Sequence, residues 1–137
     1  MKDFKNISFD LIDANINLTP DIFINRGGIT FTKRVLEDLN YPAHVQYSLN
    51  SEQKVFAVRA CKSNETKAMP FSKPKTEQTQ TVNTGNKNIA EPVKAMLDAY
   101  NPKLRYRVSG HLDAESRTLY FDLDEAVPEA FRAQKEE

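Results

Sequence analysis

Leu104-Arg105-Tyr106-Arg107-Val108-Ser109-Gly110, followed after a polar turn by Arg117-Thr118-Leu119-Tyr120-Phe121-Asp122-Leu123, is the stretch that decides the fold. Leu104, Tyr106 and Val108 alternate with basic residues, and Leu119, Phe121 and Leu123 alternate with polar ones, which is the period of a half-buried strand. Pairing Gly110 with Arg117 sets Val108 opposite Leu119, Tyr106 opposite Phe121 and Leu104 opposite Leu123. On the other face the same register sets Arg105 against Asp122 and Lys103 against Asp124. Apolar meets apolar and charge meets opposite charge, so a β-hairpin is predicted.

The segment before this hairpin reads as a helix. Asn88-Ile89-Ala90-Glu91 has the form of a capping box, Pro92 suits a first helical turn, and Val93, Met96, Leu97 and Tyr100 form an apolar stripe. Asn101-Pro102 stops it. After the hairpin, Val127 and Phe131 suit a short packed helix in the tail.

The first half of the chain has a similar plan. Phe4, Ile7, Phe9 and Leu11 predict a strand over residues 4–12, and Ile22-Phe23-Ile24 a second one. Gly27-Gly28 predicts a two-residue turn with Arg26 facing Ile29 and Ile24 facing Phe31. Thr32 is the expected cap of a helix over Lys33–Leu39, with Val35, Leu36 and Leu39 on one face. A hairpin follows, with Leu49 opposite Lys54, Tyr47 opposite Phe56 and Val45 opposite Val58. Val35-Leu36-Glu37-Asp38-Leu39-Asn40 and Met96-Leu97-Asp98-Ala99-Tyr100-Asn101 align, each followed by Pro and a hairpin. A true repeat and a chance likeness of a common unit both account for this.

The expected fold class is therefore α+β: antiparallel hairpins with two short helices, arranged as two helix-plus-hairpin halves. Three segments are expected. Residues 1–61 hold the N-terminal strand, Gly-Gly hairpin, short helix and hairpin. Residues 62–87 are polar and form a linker or mobile loop in which Met69-Pro70-Phe71 docks. Residues 88–137 form the second helix-plus-hairpin unit and tail.

Composition narrows the function. Lys plus Arg number 19 and Asp plus Glu number 19, giving no net charge in 137 residues. The distribution is uneven: −2 over 1–25, +3 over 26–62, +2 over 63–90 and −3 over 91–137. One cysteine, Cys61, excludes an intramolecular disulfide and a Cys-rich metal site. No run has the length of a membrane span or the form of a signal peptide, so a cytoplasmic protein with no membrane partner is expected. His44 and His111 are isolated, Asp122, Asp124 and Glu125 are read as solvated or salt-bridged acids, and no catalytic motif is present. No catalytic residue, metal site or cofactor is assigned, and an enzyme is not expected.

Arg26-Gly27-Gly28-Ile29-Thr30-Phe31-Thr32-Lys33-Arg34-Val35-Leu36-Glu37-Asp38-Leu39, with the hairpin Val45–Val58 behind it, resembles the DNA-binding domain of AbrB-type (looped-hinge, swapped-hairpin) regulators. The resemblance covers residues 26–61. It implies a homodimer that binds double-stranded DNA, with Arg26, Lys33 and Arg34 as the contacts, and hence a non-enzymatic transcriptional regulator. The alternative is a protein-interaction or structural module without nucleic-acid binding, which the zero net charge favours.

Overall fold

The computed structural model describes residues 2–9 and 19–130. Leu11 and most of the connection before Pro20 lie outside them, as does Phe131. The described residues form nine strands, β1 (Asp21–Asn25), β2 (Gly28–Phe31), β3 (His44–Asn50), β4 (Val55–Cys61), β5 (Met69–Pro70), β6 (Val82–Thr84), β7 (Leu104–Asp113), β8 (Thr118–Asp122) and β9 (Val127–Ala130). Two helices, α1 (Lys33–Asp38) and α2 (Lys87–Ala95), interrupt them.

All strand pairs are antiparallel, in the order β5-β3-β4-β8-β7-β1-β2-β6, with β9 added on β7. The sheet curls into a half-barrel. Phe31 on β2 reaches Tyr47 on β3, with ring centroids 6.1 Å apart, although these strands stand near opposite ends of the order. α2 packs on both β2 and β3 and so covers the open side of the curl. Its Ala90 and Val93 join Ile22, Ile24, Phe31, Val58, Leu119 and Phe121 in one buried cluster. Rings run through it from Phe71 to Phe31, Tyr47, Phe56 and Phe121. Burial pushes the Tyr47 phenol up to about 12.

The α+β expectation is thereby corrected. The fold is a strand-dominated antiparallel sheet with two short helices of six and nine residues. The hairpins do not close into separate halves, because β4 pairs with β8 and β1 pairs with β7. The polar stretch 62–87 contributes β5 and β6, and Phe71 packs edge-on against Phe31 at 5.1 Å.

The registers also differ from expectation. Ile24 pairs with Ile29 and Tyr47 with Val58, each two residues from the predicted register. Gly110 pairs with Phe121, four residues away from it. Arg105 and Lys103 therefore do not meet Asp122 and Asp124 across the hairpin; Arg105 pairs with Glu129. In each hairpin the first strand ends on Asn or Asp, whose side chain accepts a turn N–H: Asn25 from Gly27, Asn50 from Gln53 and Asp113 from Glu115. Such turns choose where the strands separate. Gly28 has φ +136°, and a Cβ there would collide with the Thr84 carbonyl of β6.

Three further expectations change. Phe4–Asn6 is a 3-10 turn, and no strand is assigned over residues 2–9. The cap of α2 is Asn86, whose side chain accepts from the Asn88 N–H, and Pro92 falls inside the helix beyond its first turn. The tail is no helix through residue 130. A 3-10 turn at Leu123–Glu125 leads into β9. Thr32 does stand at the N-cap of α1, but its hydroxyl donates to the Asp21 carbonyl, 2.6 Å away, tying the helix to β1.

Candidate functional site

β7 is the longest strand and changes partners along its length. Its first part lies between β1 and β9, and its last part pairs with β8. Gly110 marks the change. Its N–H donates to the Pro20 carbonyl at 2.8 Å, and a Cβ there would stand 2.7 Å from the Phe121 ring.

Alternation sorts the β7–β9 ladder into two faces. Inward, Leu104 and Tyr106 stand opposite Ala130 and Pro128. The β9 residues are small, and a hollow of about 400 Å³ opens beside Pro128. Leu97, Leu104, Tyr106 and Leu123 form its apolar floor, while Asp98, Asn101 and Asp124 stand exposed at its rim. The Tyr106 hydroxyl accepts from the Asn101 N–H at 2.8 Å and donates to the Ala99 carbonyl at 3.4 Å, so the floor holds the lip in place. Ala99 has φ 53°, which gives this lip its sharp turn.

Outward, one carboxylate gathers two guanidinium groups. Glu129 Oε1 accepts from Arg105 Nε at 3.1 Å and lies 3.0 Å from Arg105 Nη2, while Oε2 accepts from Arg107 Nε at 2.7 Å. Arg107 Nη1 is also 4.0 Å from Asp21 Oδ2, and Arg105 lies over the Phe23 ring at 4.0 Å. Partial burial pushes the Glu129 carboxyl up, but hydrogen bonds from Arg107 and Arg105 outweigh it and hold the group below its ordinary range. The hydrogen bond to Glu129 in turn raises Arg107.

A second, more open hollow of about 540 Å³ adjoins the first across Leu97, bordered by Arg26, Glu91, Lys94, Tyr100 and Pro102. Lys94 Nζ donates to the Arg26 carbonyl at 3.1 Å and lies 3.5 Å from Glu91 Oε2. The buried Tyr100 hydroxyl has no hydrogen-bond partner among the described residues, and its ring tilts against Tyr106 with centroids 5.4 Å apart.

Of the residues expected to contact DNA, Lys33 and Arg34 stand together at the start of α1 and Arg26 stands apart from them. Arg26 stands in the β1–β2 turn, beside the second hollow. Lys33 opens α1 at the other end of β2, where it is exposed. Arg34 is ion-paired to Asp38 at 2.8 Å across one helical turn. Among the described residues no group of three or more His, Cys, Asp or Glu could hold a metal ion. His111 Nε2 lies 3.6 Å from Glu125 on the surface, and burial, followed by Glu65, raises the Cys61 thiol. No described helix is long and apolar enough to cross a membrane.

Sequence reasoning missed Pro128 and Glu129 by giving the tail to a helix. A proline beside alternating residues is a signal of an edge strand, and it was present in Val127-Pro128-Glu129-Ala130.

Fold and site together define a curled antiparallel β half-barrel with a hollow at a strand edge, covered by its own last described strand. No family model matches the chain, and neither a curated protein nor a solved structure matches it.

Proposed function

We propose that the protein is a non-enzymatic interaction module that takes a partner polypeptide at the hollow between β7, β9 and the α2–β7 connection. One observation carries this reading: the hollow has an apolar floor, yet the strand covering it buries none of its own residues. Concave sites with apolar floors and few polar groups at the rim are where ligands bind. The rim carries Asp98 and Asp124, and the adjoining hollow carries Arg26 and Lys94, so a partner meets both charge signs. Duplex DNA, the partner implied by the AbrB resemblance, is disfavoured by the zero net charge and the separation of Arg26 from Lys33 and Arg34.

Photo-crosslinking inside cells tests this reading. A benzophenone side chain replacing Asp98 should capture a protein, whereas the same group replacing Lys67, before β5, should not. A second copy of the chain is one such protein, and light scattering identifies it. Equal capture at both positions contradicts the proposal. So does duplex DNA binding at low salt that falls steeply as salt rises and is lost in Arg26→Ala with Arg34→Ala.

A further inference from the structure

We infer that the partner docks as an added strand on β7, displacing β9, and that it carries an acidic residue between two large apolar residues. This rests on the interaction-module reading and names the chemistry of the partner.

Three features of β9 lead there. First, it is weakly anchored. All its residues are exposed or half-buried, and among the described residues it pairs with β7 alone. Segments with few buried contacts open at low free-energy cost. Second, β9 can leave without pulling on β8. Gly110 faces Phe121 in one ladder and Arg107 faces Val127 in the other, a three-residue change of register absorbed by the Leu123–Glu125 turn. Leu123 is buried and anchors that turn, so displacement can stop there. Third, β9 fits its place on only one face. Outward, Glu129 receives both Arg105 and Arg107. Inward, Pro128 and Ala130 stand opposite Tyr106 and Leu104, which with Pro128 line a hollow of about 400 Å³.

A strand matching β9 outward and exceeding it inward would bind better than β9 does. The two arginines select the acid at the place of Glu129, since carboxylate–guanidinium bonds are strong and geometrically demanding. The hollow selects bulk at the places of Pro128 and Ala130, where leucine-sized side chains would cover Leu104, Tyr106 and Leu97. Backbone pairing along β7 supplies the remaining bonds, as in recognition by strand addition. In the free chain β9 holds the place, and Glu129 pairs with both half-buried guanidinium groups.

Peptide titration of the full chain tests this. The probe is a synthetic peptide of residues 123–130 carrying Pro128→Leu and Ala130→Leu, followed by calorimetry and amide chemical shifts. It should bind and shift the amides of residues 104–107. Glu129→Gln in the protein, which weakens the competitor, should tighten binding about tenfold, whereas Glu129→Gln in the peptide should weaken it about tenfold. Pro128→Leu with Ala130→Leu in the protein itself should raise its thermal midpoint and abolish peptide binding. Failure of the peptide to bind either wild-type or Glu129→Gln protein overturns the inference, as does binding indifferent to the peptide's acid or mapped away from β7. If the peptide fails while Asp98 still captures a protein, strand addition is wrong and the interaction-module reading stands. If both fail, both readings fall.

Discussion

β1 and β9 flank the same stretch of β7, and they are held there in different ways. β1 places Ile22 and Ile24 in the core, both at 0 % exposure, with Ile22 paired to Val108 and Ile24 to Tyr106. β9 contributes no buried residue, and Val127 is 44 % exposed. Its ties are ladder hydrogen bonds and the two arginines on Glu129. Burial of apolar surface dominates the stability of a strand, whereas a partly exposed ion pair adds little. One edge of β7 is thus part of the core, and the other is a covered but replaceable rail.

The contrast can be broken by mutation, and the largest effect belongs to β1. Ile24→Ala should cost about 2–5 kcal/mol in urea unfolding, because it removes fully buried methyl groups from a packed site. A smaller cost, about 1–3 kcal/mol, is expected for Gly110→Ala, whose new Cβ presses on the buried Phe121 ring where β7 changes partners.

On the β9 side the effects should be smaller and dependent on pH. Glu129, with a side chain 26 % exposed, should lose about 1 kcal/mol on conversion to Gln at neutral pH. Its folded carboxyl titrates below the ordinary range, so its contribution is present above the free-chain value of about 4.3. That contribution is lost as pH falls through the lower folded value. Stability curves of wild-type and Glu129→Gln protein should therefore converge in acid. The smallest effect is expected for Val127→Ala, within about 0.5 kcal/mol, since its side chain faces outward into solvent.

The elements of the barrel were more legible in the sequence than their partners were. Val45 to Leu49 and Leu104 to Val108 announce strands by alternation, Ile22 to Ile24 does so as a short β-prone run, and Val35, Leu36 and Leu39 announce α1. Register was not legible from the same signal. A slip of two or four residues returns every side chain to its original face, so Tyr47 meets Val58 or Phe56 without changing the apolar pattern. What decides is turn chemistry, and Asn25, Asn50 and Asp113 each end a strand with a side chain bonded to the turn backbone.

The site was less legible still. Arg26 stands out in the sequence and does border a hollow, but Glu129 does not, because the expected hairpin gives Arg105 to Asp122, whereas Arg105 and Arg107 both donate to Glu129. A hairpin whose two faces both pair sensibly in the sequence does not itself mark a third strand. The three-residue change of register between β8 and β9 has no trace in hydrophobic alternation, because its turn buries only Leu123.

Native-state hydrogen exchange compares the two edges of β7 most directly. The Val127 and Glu129 amides, whose residues pair with Arg107 and Arg105, should exchange through local opening about a hundredfold or more faster than those of Ile22 and Ile24, which open only with the whole fold. Equal protection of β1 and β9 would mean that β9 is an integral part of the core and would contradict the claim that β7 offers a replaceable edge.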